Sequence, residues 1–252
     1  VCENSLFANR PIAFNTQGSR FQASQILEAL KDPKSWAYTF INGGAGMTLS
    51  SLGVFLPTFV ANFGFSKIDA QLFSAIPYAC AFIVLPTLAF ISDRINSKGP
   101  FIIGGLTLSV TGYFMLLFAK PTVVKIVATC FITCGTYPAV VLSVTWLGIN
   151  TAGFTKKGAT WAMAEVMSQI MAIVASNIYK NPPRYVKGHS VVLAMLVFAI
   201  FNALALWLWM GYSNKQRDQI LAEYAARGEI HPDEHKSLEE ASDLHINFRY
   251  VL

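Results

Sequence analysis

The stretch ATWAMAEVMSQIMAIVASNIY, residues 159–179, holds one carboxylate, Glu165, in an otherwise uncharged run. At 100° per residue Trp161, Glu165, Ser168, Gln169, Ala172 and Ser176 share one helical face, while Met163, Val166, Met167, Ile170 and Val174 share the other. One face is polar and the other is apolar. Glu165 is also the only acidic residue within any of the chain's long apolar blocks. In hydrocarbon a carboxylate costs at least about 2.5 kcal/mol on insertion scales, so it needs a partner, a cavity or a proton path. A second reading keeps it as an acid reaching back to the membrane surface, since it sits about 10 Å in from the start of its block.

Other polar groups lie in similar runs. In WAYTFINGGAGMTLSSLGVFLPTF the residues Thr39, Asn42, Gly43, Gly46, Ser50, Gly53 and Pro57 recur at helical spacing, with Ile41, Leu52, Phe55 and Phe59 on the far side. Such a stripe lines a polar cavity or lets helices pack closely through small residues. The Asn42 amide needs a partner in either case. Tyr137 lies beside Pro138, near the middle of its block, where it points into a cavity or bonds a neighbouring backbone group. Pro57, Pro77, Pro86 and Pro138 would break soluble helices but are tolerated in spanning ones. The spacing of Cys2, Cys80, Cys130 and Cys134 suggests neither a disulfide framework nor a zinc site. No nucleophile–base pair or metal-ligand cluster stands out, so the expectation is a protein that is not an enzyme and carries no cofactor.

The elements that must hold these residues are long and apolar. The chain of 252 residues is 54% hydrophobic and 13% charged, against about 25% charged in soluble domains. A spanning helix needs about 20 apolar residues. Six blocks qualify or nearly do: 36–62, 70–91, 101–119, 124–148, 158–178 and 190–211. The expected organisation is a cytoplasmic segment at 1–35, a six-helix transmembrane domain at 36–211 and a cytoplasmic tail at 212–252. Residues 1–35 read as a loop. Ser213 reads as the cap of a helix running to about Ala226 and ending at Gly228, with a polar, loosely ordered tail beyond.

The formal charge of +5 fits a membrane protein better than a nucleic-acid binder. Thirteen of the nineteen Lys and Arg fall on the side that holds both ends, including Lys34, Arg94, Lys98, Lys156 and Lys157; Lys180, Arg184 and Lys187 crowd one outer loop. The bias puts both ends in the cytoplasm. Val1 opens the chain with no signal peptide, and the simplest reading is the second part of something longer.

Between the second and third blocks stands SDRINSKG, residues 92–99. Its D-R-x-x-x-K-G pattern resembles the signature loop of the major facilitator superfamily, which follows the second helix of each six-helix half. The family's glycine four residues before the aspartate is Ala89 here. LEALKDPKSW, FLPTFVANFGFS, GTYPAVVLSVTWLGINTAGFTKKG, RYVKGHS and the closing DLHINFRYVL are together similar to the fungal anion:cation symporters, the allantoate and nicotinate permease group. The resemblance covers about Arg10 to Leu252. It departs at Ser168-Gln169 and Met171-Ala172, where relatives often have Gly-Asn and then two glycines, and at Ile149, which replaces an asparagine.

The resemblance implies an all-α membrane protein whose six helices form the C-terminal half of a twelve-helix major facilitator fold. It implies proton-coupled transport of a small organic anion, a carboxylate, by rocking of two halves around a midplane site. Its partners would be that anion, protons, the plasma-membrane bilayer and an N-terminal six-helix half. Glu165 would be the proton-coupled or substrate-coupled carboxylate. Gln169, Trp161, Asn42 and Tyr137 would line the pathway, and Trp146 and Asn150 the inner vestibule. Asp93 would close the inner gate against the other half, while Arg94 and Lys98 hold the loop and meet headgroups. No mid-membrane Lys or Arg in these blocks meets an anion. The rival reading is a non-transporting half that acts through helix association.

Overall fold

The structure, a computed structural model, describes residues 21–61, 67–179, 185–227, 231–232, 243 and 245–252. Among them are seven helices: α1 (Ala23–Lys31), α2 (Pro33–Ala61), α3 (Lys67–Ile95), α4 (Gly99–Phe118), α5 (Thr122–Asn150), α6 (Phe154–Ile178) and α7 (Val186–Arg227). No strand occurs among the described residues. Each of the six apolar blocks falls on one long helix from α2 to α7, apart from Ala119, which caps α4, and residue 62, which lies outside the described residues. Five of these, all but α2, are long and apolar enough to cross a membrane. α2 is as long as α3 and α5, at 29 residues.

α2 packs against α6 and α7, α4 against α5 and α7, and α3 mainly against α5. The small residues of α2 allow this. A Cβ on Gly44 would meet the Met195 carbonyl oxygen of α7 at 2.8 Å, and one on Gly46 would meet Ser168 Oγ of α6 at 2.0 Å. The stripe on α2 is therefore a packing surface. The far side is packed as well: Ile41 and Leu52 are buried and Phe55 stacks on Tyr179 at 4.8 Å. The outward faces carry Phe82, Ile83 and Phe90 on α3, Phe114 and Phe118 on α4, and Phe198, Phe201 and Leu208 on α7. Apolar surface on this scale fits an integral membrane protein, with lipid as the solvent of those faces.

The prolines sit inside continuous helices: Pro57 in α2, Pro77 and Pro86 in α3, and Pro138 in α5. Thr133 Oγ1 of α5 donates to the Pro77 carbonyl at 2.9 Å and so ties α3 to α5.

Three sequence expectations are corrected. Residues 1–35 are not all loop, because Ala23–Lys31 is helical and α2 begins at Pro33; residues 1–20 lie outside the described ones. Ser213 caps nothing, because α7 runs unbroken to Arg227; Gly228 lies outside the described residues. The tail is not loose throughout. Asp243, His245, Ile246, Phe248, Tyr250 and Val251 are buried against the bundle.

Candidate functional site

α6 is fastened to α2 along one side. Ser35 and Thr160 share a hydroxyl–hydroxyl hydrogen bond of 3.0 Å, Met167 covers Gly43, and Ser168 seats on Gly46. That register leaves Trp161, Glu165 and Gln169 exposed. Gln169 Nε2 donates to Glu165 Oε1 at 2.6 Å. The structure thus brings these three together and separates them from Ser168, which the helical wheel had grouped with them. α6 begins at Phe154, four residues before the expected block, so Glu165 lies about 16 Å along it.

Beside this face is a groove of about 920 Å³ between α1, α5 and α6, lined by Phe21, Ile26, Leu30, Val144, Trp161 and Val166 among others. It is almost wholly apolar, with Thr155 and Lys157 among its lining residues.

Asn42 and Tyr137 lie elsewhere. Asn42 is buried; its Nδ2 donates to the Tyr38 carbonyl and its Oδ1 accepts from Ser143 Oγ, each at 3.0 Å. It joins α2 to α5. Tyr137 is half-buried, edge-to-face with Tyr78 of α3 at 6.0 Å between ring centres. Cys80, Cys130 and Cys134 are free, half-buried thiols.

Trp146 and Asn150 do not line an open vestibule. Both are buried at the end of α5. Trp146 Nε1 and Asn150 Nδ2 donate to the Val251 carbonyl at 2.7 and 2.9 Å, and the Val251 N–H donates to Asn150 Oδ1 at 2.7 Å. The Tyr38 ring packs edge-on against Trp146 at 5.4 Å. Close by, two ammonium groups face two carboxyl groups. Lys156 Nζ reaches Asp243 Oδ1 at 2.6 Å and Asp32 Oδ2 at 2.9 Å; Lys34 pairs with Asp243 and lies 3.4 Å from Asp32 Oδ2. The Asp243 side chain is 0% exposed, so its charge is supportable only because it is paired. Burial opposes the Asp32 charge, but Lys34 and Lys156 outweigh it and hold the carboxyl below its usual range. At Lys34 the balance reverses: burial outweighs Asp32 and brings the ammonium down to about 8. Both groups are lowered, which favours the charged form of the Asp32 carboxyl and disfavours the charged form of the Lys34 ammonium.

These residues were missed in the sequence. Lys34 and Lys156 read only as positive-inside charges, and Asp32 and Asp243 carried no reading of their own. The available signal was INFRYVL, too apolar and aromatic for a solvated tail.

In the 92–99 loop, Asp93 pairs with Lys98. The Lys98 side chain is only 3% exposed, so it turns inward and does not meet headgroups; Asp93 remains 68% exposed and Arg94 is exposed. Ser92 Oγ donates to the Ser97 carbonyl at 2.8 Å and Asn96 takes φ 55°, which closes the turn.

No family model matches the chain. Over 92% of its length it is 28% identical to an uncharacterized transporter of Schizosaccharomyces pombe and 29% identical to a high-affinity nicotinic acid transporter of Saccharomyces cerevisiae. Over 84% it is 24% identical to an MFS-type transporter of Hormonema carpetanum. The chain is a relative of the MFS transporters. It spans 45%, 43% and 44% of those three proteins, less than half of each. This relative of the MFS transporters therefore corresponds in extent to about one half of a longer transporter, in keeping with its six long helices.

Proposed function

We propose that the chain is the C-terminal six-helix half of a plasma-membrane transporter that moves a small organic anion with protons by alternating access. The observation that carries this is the placement of Glu165. It lies mid-helix with Gln169 and Trp161 on a face of α6 that no described helix covers. Lipid cannot be the solvent of that face without a cost of at least about 2.5 kcal/mol. A second six-helix half, with a watered cavity between the halves, would cover it. The relative that is named a nicotinic acid transporter makes an aromatic monocarboxylate the first substrate to try.

The test joins residues 1–252 to the N-terminal half of a close relative and measures radiolabelled nicotinate uptake under an imposed pH gradient. Glu165→Gln should abolish gradient-driven uptake while leaving nicotinate exchange across the membrane intact. Gradient-driven uptake that is unchanged in the variant would remove Glu165 from the proton path.

A further inference from the structure

The contacts of residues 248–252 are those of a bound peptide. Two asparagines from different helices read consecutive residues through both main-chain groups. Asn214 of α7 donates to the Tyr250 carbonyl at 2.8 Å and accepts from the Tyr250 N–H at 3.0 Å. Asn150 of α5 makes the same pair of bonds with Val251. Because Tyr250 is held from α7 and Val251 from α5, these two helices form the two walls of a groove. Arg217 donates to the carbonyls of Phe248 at 2.6 Å and Asp243 at 2.8 Å, and the Lys98 N–H donates to the main-chain oxygen of Leu252. Recognition through main-chain bonds, with pockets for chosen side chains, is how extended peptides are bound at sheet edges. Here helix side chains supply the partners.

Charge supplies an anchor. Without Asp243 the quartet would be Lys34 and Lys156 against Asp32 alone, with Arg217 close by, an excess of positive charge. The groove is therefore complementary to a peptide that turns once between an acidic residue and a tyrosine seven positions on, the pattern of Asp243 and Tyr250, whose hydroxyl returns to within 3.3 Å of Asp243 Oδ2. Tyr250 fits beneath Lys34, its hydroxyl 3.0 Å from Nζ and its ring centre 4.9 Å away. The helix contacts described above, α2 on α6 and α7 and α3 on α5, do not run through this segment. Asn150 stands at the end of α5, while Asn214 and Arg217 lie partway along α7.

We infer that the end of the bundle formed by α2, α5, α6 and α7 is a peptide-binding groove, and that Asp243 and residues 245–252 occupy it in cis as a releasable, charge-anchored strap. Release would uncover Trp146 and Asn150. The inference concerns one end of the bundle and stands apart from the transport reading.

Two measurements test it, both in lipid nanodiscs. In the first, a chain ending at residue 242 is titrated with a fluorescent peptide of residues 243–252. The peptide should bind, and its Asp243→Asn form should bind at least about 100-fold more weakly, the lower end of the scale of a broken buried ion pair. In the second, the full chain carries spin labels at Asn247→Cys and Lys215→Cys, with its native cysteines replaced by serine. The label-to-label distance should be narrowly distributed, and should broaden at least about threefold in Asp243→Asn and in Asn214→Ala while the helix content holds. A strap that stays narrow in both variants overturns the inference. So does loss of the helices together with the strap, which would make the segment an integral element and not a ligand.

Discussion

Gly105 of α4 and Gly135 of α5 face each other so closely that a Cβ on Gly135 would lie 2.2 Å from the Gly105 carbonyl oxygen, and one on Gly105 would lie 2.7 Å from that of Gly135. Both obstacles are backbone, which cannot swing aside as a side chain can. Gly135→Ala should cost about 1–3 kcal/mol or prevent folding, as overpacking does. Gly104→Ala, one residue along α4 with nothing within 4 Å, should be neutral or stabilising by up to about 1 kcal/mol. Thermal unfolding in detergent compares the two, and equal midpoints would refute the packing argument.

Gly46 and Gly43 give a graded pair on α2. At Gly46 the obstacle includes Ser168 Cα at 3.1 Å, part of the α6 backbone; at Gly43 it is Met167 Cγ at 2.8 Å, part of a flexible side chain. Gly46→Ala should therefore lower the unfolding temperature more than Gly43→Ala. The reverse order would mean that α6 shifts more easily than its methionine.

Breaking the buried quartet should be costly from either side. Lys156→Met leaves Asp243 underpaired at 0% exposure and should cost about 3–5 kcal/mol, while Lys156→Met with Asp243→Leu should cost less than the single change. Denaturant titration of the three variants checks this. A double variant worse than the single would show that the charges are favourable in themselves.

Acid should loosen the same place. The Asp32 carboxyl is lowered below 3.8 in the folded chain, so the unfolded chain takes up its proton first. The stability it contributes is present above about pH 4 and is lost as pH falls through the lower, folded value. Asp32→Asn should flatten the acid limb of the stability profile below about pH 4. An acid limb unchanged in the variant would assign it to other carboxyls.

The orientation is open to chemical labelling. Asn96 and Lys120 are both exposed and sit at opposite ends of α4. In closed vesicles of known sidedness, Asn96→Cys should react with an impermeant maleimide from the cytoplasmic face and Lys120→Cys from the other. Reaction of both from one side would overturn the arrangement.

The long helices were legible because apolar length alone marks them. The Trp161–Glu165–Gln169 face was legible too, since one helical period fixes it. The register of α6 on α2 was not, because Ser168 is set by where Gly46 lies, more than a hundred residues away. The start of α2 could have been read: KDPK places an acid before a proline, and Asp32 Oδ1 accepts from the Lys34 N–H at 3.0 Å. The groove for residues 243–252 could not be read that way. Asn150 and Val251 are 101 residues apart, and each alone is an ordinary polar or apolar residue at the end of an element.

α7 is a single helix of 42 residues with no proline, about 63 Å long against a hydrocarbon layer of about 30 Å. About half of it stands clear of the membrane as a stiff lever. A tilt of about 10° around its mid-membrane point would swing Arg227 through about 7 Å, at 1.5 Å of helix per residue. Asn214 and Arg217, the α7 residues that grip the strap, lie partway along that arm. Tilting of the membrane-embedded half and loosening of the peptide outside it would then be one mechanical event.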